Sequence, residues 1–124
     1  MVIEQFIIQY LLGKLSQEGI GVYPTVPESN PNPADDPAKF LIVQKTGSSL
    51  RNHLWTANIA IQSYAGSIME ASYLDQKAIN AMLGMISEPE ICRVELNSDY
   101  EYTDTDTKQP RYQAVFVVTH YSLG

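Results

Sequence analysis

Cysteine, clustered positive charge and long apolar runs are all scarce in this chain, and each shortage excludes something. The single cysteine, Cys92, has no partner for an intrachain disulfide, so a disulfide-stapled scaffold is excluded. Lys and Arg total 8 against 14 Asp and Glu, for a formal charge of −6. The basic residues stand singly, at Lys14, Lys39, Lys45, Arg51, Lys77, Arg93, Lys108 and Arg111. Neutralising a phosphate backbone needs them clustered, so specific nucleic-acid binding is disfavoured. The apolar run Phe6-Ile7-Ile8 with Tyr10-Leu11-Leu12 is too short to span a bilayer. Glu4 precedes it in place of a basic region, and no small-residue cleavage site follows. It predicts neither a membrane span nor a signal peptide, and hence cytoplasmic synthesis.

What is present describes one folded unit. A length of 124 residues fits a single domain, 1–124, and an apolar fraction of 44% supplies one core without metal or disulfide support. Ile3, Phe6, Ile7, Tyr10, Leu11 and Leu15 recur at helical spacing, which predicts an amphipathic helix over 2–18, ended by Gly19 and Gly21. Val22 and Tyr23 begin a short extended piece. Between Pro24 and Pro37 lie five prolines, which predict a loop because proline lacks the donor N–H and biases its predecessor away from helix.

Strands follow. Phe40 to Lys45 reads as a buried strand closed by a turn at Thr46-Gly47-Ser48-Ser49. Asn52 to Tyr64 alternates, with Trp55, Ala57, Ile59 and Ile61 on one face and Thr56, Asn58 and Gln62 on the other. This strand is long enough to predict an overhang beyond its neighbours. Ser67 with Glu70 forms a capping-box pattern ahead of a second helix. The apolar stripe of that helix is Ala71, Leu74, Ala78, Ile79, Met82, Leu83 and Ile86, and Pro89 marks its end. Ile91–Leu96 and Arg111–Tyr121 are the last strands, joined by an acidic, Thr-rich connector. The predicted fold is α+β: a mainly antiparallel twisted sheet of four to five strands with two helices packed on one face.

Candidate chemistry is thin. Cys92 with His53 or His120 could form a thiol–imidazole pair, but Ile91-Cys92-Arg93-Val94 reads as an ordinary packed strand. The two histidines offer no third metal ligand at useful spacing. Asp99, Glu101, Asp104 and Asp106 lack the glycine turn and terminal Glu of a calcium loop. They predict a solvated, strongly negative loop instead. Thr46-Gly47-Ser48-Ser49 lacks the glycines and Lys of a phosphate-binding loop. No catalytic residue, cofactor or metal is predicted. A ligand-binding module, its pocket lined by Trp55, Tyr64, Met82 and Met85, is the alternative class. An enzyme using Cys92 and a histidine ranks behind it.

Several strings, taken in order, carry a resemblance. They are Val26-Pro27, then Phe40-Leu41-Ile42-Val43-Gln44-Lys45-Thr46-Gly47, then Ala60-Ile61-Gln62-Ser63-Tyr64-Ala65 with Ser67 and the Ala-bearing helix. Asn97-Ser98-Asp99-Tyr100 and Pro110-Arg111-Tyr112-Gln113-Ala114 complete the set, which spans nearly the whole chain. The chain resembles the small tail-terminator (tail-completion, head-to-tail joining) proteins of long-tailed bacteriophages. The resemblance implies a virion structural protein made in the host bacterial cytoplasm. Such a protein forms a ring, commonly a hexamer, on the last ring of the tail tube. It ends tail growth and presents the surface to which the head docks. Implied partners are further copies of itself, the tail-tube protein and a head-completion or connector protein. A place in the neck or connector is the alternative rung.

Two expectations join this resemblance to the residues. Unblocked sheet edges, including the final strand ending at His120 and Tyr121, would pair with another copy. Six copies at −6 would total about −36, so DNA would pass through the lumen without specific binding. The residues expected to face a neighbouring subunit or partner are Arg51, His53, Trp55, Asp99, Tyr100, Glu101, Tyr102, Asp104, Asp106, Arg111, Tyr112 and Tyr121. The loop 99–106 is expected to face the channel or the docking partner.

Overall fold

The computed structural model describes residues 1–26, 39–103 and 108–123. Its elements are α1 (Ile3–Leu15), β1 (Gly21–Tyr23), β2 (Phe40–Arg51), β3 (Leu54–Tyr64), α2 (Ile68–Gly84), β4 (Ile91–Glu101) and β5 (Arg111–His120), with a short 3-10 turn after each helix. The strands form one sheet in the order β1-β2-β3-β5-β4. Only the β1–β2 pair is parallel. This is the expected α+β fold.

Both helices lie on one face. α1 packs over β1 and β2, and α2 over β3, β5 and β4. Ile7 and Leu11 of α1 and Ala71, Leu74, Ala78 and Met82 of α2 meet Leu41, Val43, Ala57, Ile59, Ile61, Ala114, Phe116 and Val118 in one buried core. Side chains alternate across a strand, so Ile59 and its cross-strand partner Phe116 share the helix-covered face. Tyr10 links the two helices by donating to the Ala81 carbonyl at 2.8 Å. Gly84 permits that approach, since a Cβ there would stand 3.3 Å from the Tyr10 hydroxyl.

The local signals at the helix ends act as expected. Gly19 turns left-handed at φ 75° to end the first helical segment. Ser67 caps α2 by accepting from the Glu70 amide at 3.2 Å.

Other boundaries differ from the sequence reading. Thr46-Gly47-Ser48-Ser49 is no turn: β2 runs through it to Arg51, with a bulge that absorbs Thr46. The reversal falls at Asn52 and His53, which hold φ of 53° and 67°, the paired left-handed geometry of a tight hairpin. Asparagine tolerates that region because its short side chain bonds locally, a signal the strand pattern concealed. β3 therefore begins at Leu54 and is paired on both sides from Trp55 to Tyr64, without the expected overhang. Leu83 and Ile86, assigned to the stripe of the second helix, are exposed, because the buried series runs from Ala78 through Met82 to Met85 at helical spacing and leaves both to the side.

The acidic connector is shorter than predicted. β4 continues to Glu101, so Asp99, Tyr100 and Glu101 are strand residues. Their alternating polar character hid a strand whose outer side faces solvent. The final strand is not an edge. β5 sits between β3 and β4, and His120 pairs with both Trp55 and Ile91.

Candidate functional site

On the face turned away from the helices, register and alternation gather a polar and aromatic array. β3 contributes Gln62 and Tyr64, β5 contributes Arg111 and Gln113, and β4 contributes Tyr100. Gln62 donates to Gln113 Oε1 at 2.9 Å, and Gln113 in turn donates to the Tyr100 hydroxyl at 2.5 Å. Arg111 donates through Nη1 to the Tyr64 hydroxyl at 3.0 Å and through Nε to the Tyr102 carbonyl at 2.6 Å. Its guanidinium also lies 4.3 Å from the Tyr102 ring centre. Tyr100 and Tyr102 meet edge to face at 5.9 Å. At the β2 end of the same face, Phe40 stacks on Tyr64 with ring centres 4.7 Å apart. The array links three strands with charge-assisted and amide hydrogen bonds, which hold it rigid.

The sheet's two sides are open. β1 covers β2 only from Phe40 to Ile42. Among the described residues, no strand lies on the outer side of β2 from Val43 to Arg51, and none lies on the outer side of β4. A groove lined by Glu4, Pro24, Val43, Gln44, Lys45 and Thr46 follows the β2 opening. Unpaired strand N–H and C=O groups are templates for another strand.

The residues expected to face a partner fall into separate places. Arg51 ends the β2 edge and His53 occupies the hairpin tip, both exposed. Asp99, Tyr100 and Glu101 lie on the β4 edge, and Tyr102 follows them. Arg111 belongs to the array, where it is half-buried. Tyr112 lies on β5 opposite Ser63 and Glu101, on the helix side of the sheet. Trp55 lies on the helix side opposite His120. Tyr121 is exposed. Asp104 and Asp106 lie outside the described residues. Asp99 and Glu101 therefore belong to a strand, and Asp99 is turned by it toward α2, where it meets Asp75.

Asp75 is the residue the sequence reading missed. It sits in the core-facing series of α2, where an acidic residue carries no pattern of its own. Its side chain is buried, and among the described residues neither carboxylate oxygen has a hydrogen-bond partner. Burial, and then the Asp99 carboxyl, push its pKa up to about 8.

Cys92 is half-buried at the bulge of β4, and no hydrogen bond joins it to either histidine among the described residues. Its thiol acts on Tyr121, whose hydroxyl pKa it raises. The ring of His120 bonds through Nδ1 to the Tyr121 carbonyl at 2.8 Å. No group of three potential metal ligands occurs among the described residues.

The expected ligand pocket is not assembled. Trp55 lines a cavity of about 240 Å³ with Met1, Lys45 and His120. Met82 and Met85 are packed in the core, while Tyr64 faces the opposite side of the sheet. No helix among the described residues is long and apolar enough to cross a membrane. Comparison with protein-family models gives no match, and comparison with curated proteins gives none.

Proposed function

We propose that this chain is a virion structural protein that assembles with copies of itself into a ring at the head-proximal end of a bacteriophage tail tube. There it ends tail growth and offers the docking surface for the head. The observation that carries the reading is the pair of edges, on β2 and β4 at opposite sides of a single sheet, that no strand among the described residues covers. A contact between two different patches repeats head to tail, and closes into a ring when the rotation between neighbours permits. A contact of one patch with itself stops at a dimer.

The resemblance stated above supplies the place in the virion and the hexameric number. The tail-tube protein and a head-completion or connector protein are the partners it implies. A net charge of −6 per copy favours a lumen that repels DNA, so the duplex passes without being held. No chemical step is assigned to the protein: its polar array is hydrogen-bonded within itself, and its thiol lies against a tyrosine.

The test is mass in solution across a concentration series, with electron microscopy of the purified chain alone and mixed with tail-tube protein. Closed rings, free or seated on tube ends, are expected. A chain that stays strictly monomeric in both samples overturns the reading.

A further inference from the structure

The proposal concerns which strands join, and it rests on the ring-forming reading. β2 is antiparallel to β3, β3 to β5 and β5 to β4, so β2 and β4 run in opposite directions. Rotation about an axis lying roughly along the strands preserves their direction. It therefore sets β4 of one copy antiparallel to β2 of the next, continuing the pattern inside each sheet.

The two edges match in length and irregularity. From Lys45 to Arg51, β2 pairs with Ile59 to Leu54 of β3, the bulge at Thr46 taking up one residue. From Glu95 to Glu101, β4 pairs with Val117 to Tyr112 of β5, the bulge at Asn97 taking up one residue. Both stretches thus span the same distance despite their bulges. An isolated bulge on one edge would throw the far half of a junction out of register. Here the two offsets cancel.

Charge then selects the pairing. β2 carries Lys45 and Arg51 with no acidic residue, whereas β4 carries Glu95, Asp99 and Glu101 against Arg93. Joining β4 to β4 across a two-fold would oppose carboxylates, and joining β2 to β2 would oppose cations. Like charges directly opposite each other destabilise a strand pair.

We infer that the β4 edge of one copy pairs antiparallel with the outer half of β2 in a second copy, with Leu96 opposite Leu50, Glu95 opposite Arg51 and Glu101 opposite Lys45. In this register every pair lies on a common face. Leu50 and Leu96, exposed by 54% and 40%, both sit on the helix side and cover each other. Arg51 and Glu95 share the other side, and Lys45 and Glu101 share the helix side. Tyr100 falls over Gly47, where the absent side chain leaves room for a ring.

The test uses the full chain with Cys92→Ser as background. One preparation carries Leu50→Cys, a second carries Leu96→Cys, and both are oxidised alone and mixed. The expected product is a disulfide-linked dimer in the mixture and neither preparation alone, since opposed strand residues bring Cα atoms within disulfide range. Alongside, Arg51→Glu or Glu95→Arg should each weaken self-association about tenfold, and the two together should restore it. Circular dichroism confirms folding of each variant. Rings that form without mixed cross-linking and without charge-swap rescue overturn the pairing while leaving the ring reading intact. Dimers from either cysteine variant alone also overturn it, in favour of a two-fold contact. Absence of any oligomer removes both.

Discussion

Asp75 of α2 and Asp99 of β4 bring two carboxyls together across the helix–sheet interface, with Asp75 only 1% exposed and, among the described residues, without a hydrogen-bond donor. Two ionised carboxylates there would repel in a poorly solvated site. A proton on Asp75 removes one charge and supplies the missing donor, which is why its pKa rises from the usual 3.8 to about 8.

Stability should therefore fall as pH rises. Below the ordinary carboxyl pKa of 3.8 both folded and unfolded chains hold the proton, and Asp75 costs nothing. Between there and about 8 the folded chain keeps a proton that the unfolded chain has released, so this residue's contribution declines by up to about 1.4 kcal/mol per pH unit. Above that range the penalty is constant. Asp75→Asn offers an amide donor to Asp99 at every pH. It should stabilise the fold by about 1–3 kcal/mol at pH 9 and flatten the decline, as read from urea unfolding at pH 5, 7 and 9.

Arg111→Lys is not a conservative change at the open face. The guanidinium bonds Tyr64 and Tyr102 in two directions while lying over the Tyr102 ring. A lysine ammonium cannot reproduce that fork and stack. A loss of about 1–2 kcal/mol is expected in chemical denaturation. Tyr64→Phe removes a hydroxyl that accepts from Arg111 and donates to Gln62 Oε1 at 3.3 Å, and should cost a comparable amount.

His53 occupies a left-handed position, where its Cβ carries a steric cost that glycine avoids. His53→Gly creates the Asn-Gly pair that this two-residue turn favours. The expected outcome is a gain of about 0.5–1 kcal/mol by thermal or chemical melting. A loss would mean that the imidazole makes a contact worth more than the strain.

Tyr10→Phe removes the hydroxyl that α1 donates to the Ala81 carbonyl of α2. A loss of about 1 kcal/mol is expected from urea unfolding. The Tyr10 hydroxyl is already held above its ordinary pKa, chiefly by burial and further by Glu88. The same bond should thus persist well into alkaline solution, checked by spectroscopic titration of the wild type.

Local residue patterns were enough to reveal both helices and the strand-forming character of 40–45, 54–64, 91–96 and 111–120. Periodicity, the Ser67 cap and the left-handed Gly19 are effects of neighbouring residues, so they are written in order along the chain. Where two strands turned or ended was less legible. Thr46-Gly47-Ser48-Ser49 has the composition of a turn, yet pairing with Ala57 and Asn58 holds it extended. Asn97 to Glu101 has the composition of a loop, yet β5 supplies its ladder.

Primary structure determined, through alternation and helical spacing, which side chains had to be withdrawn from water. It could not determine which strand would stand outermost, because an edge is defined by the neighbour it lacks. Tertiary pairing placed the strongly apolar β5 inside and, among the described residues, left the outer sides of β4 and of the far half of β2 without a strand. It also turned Asp75 inward against Asp99, since a buried carboxyl becomes visible only once the surface covering it has been built.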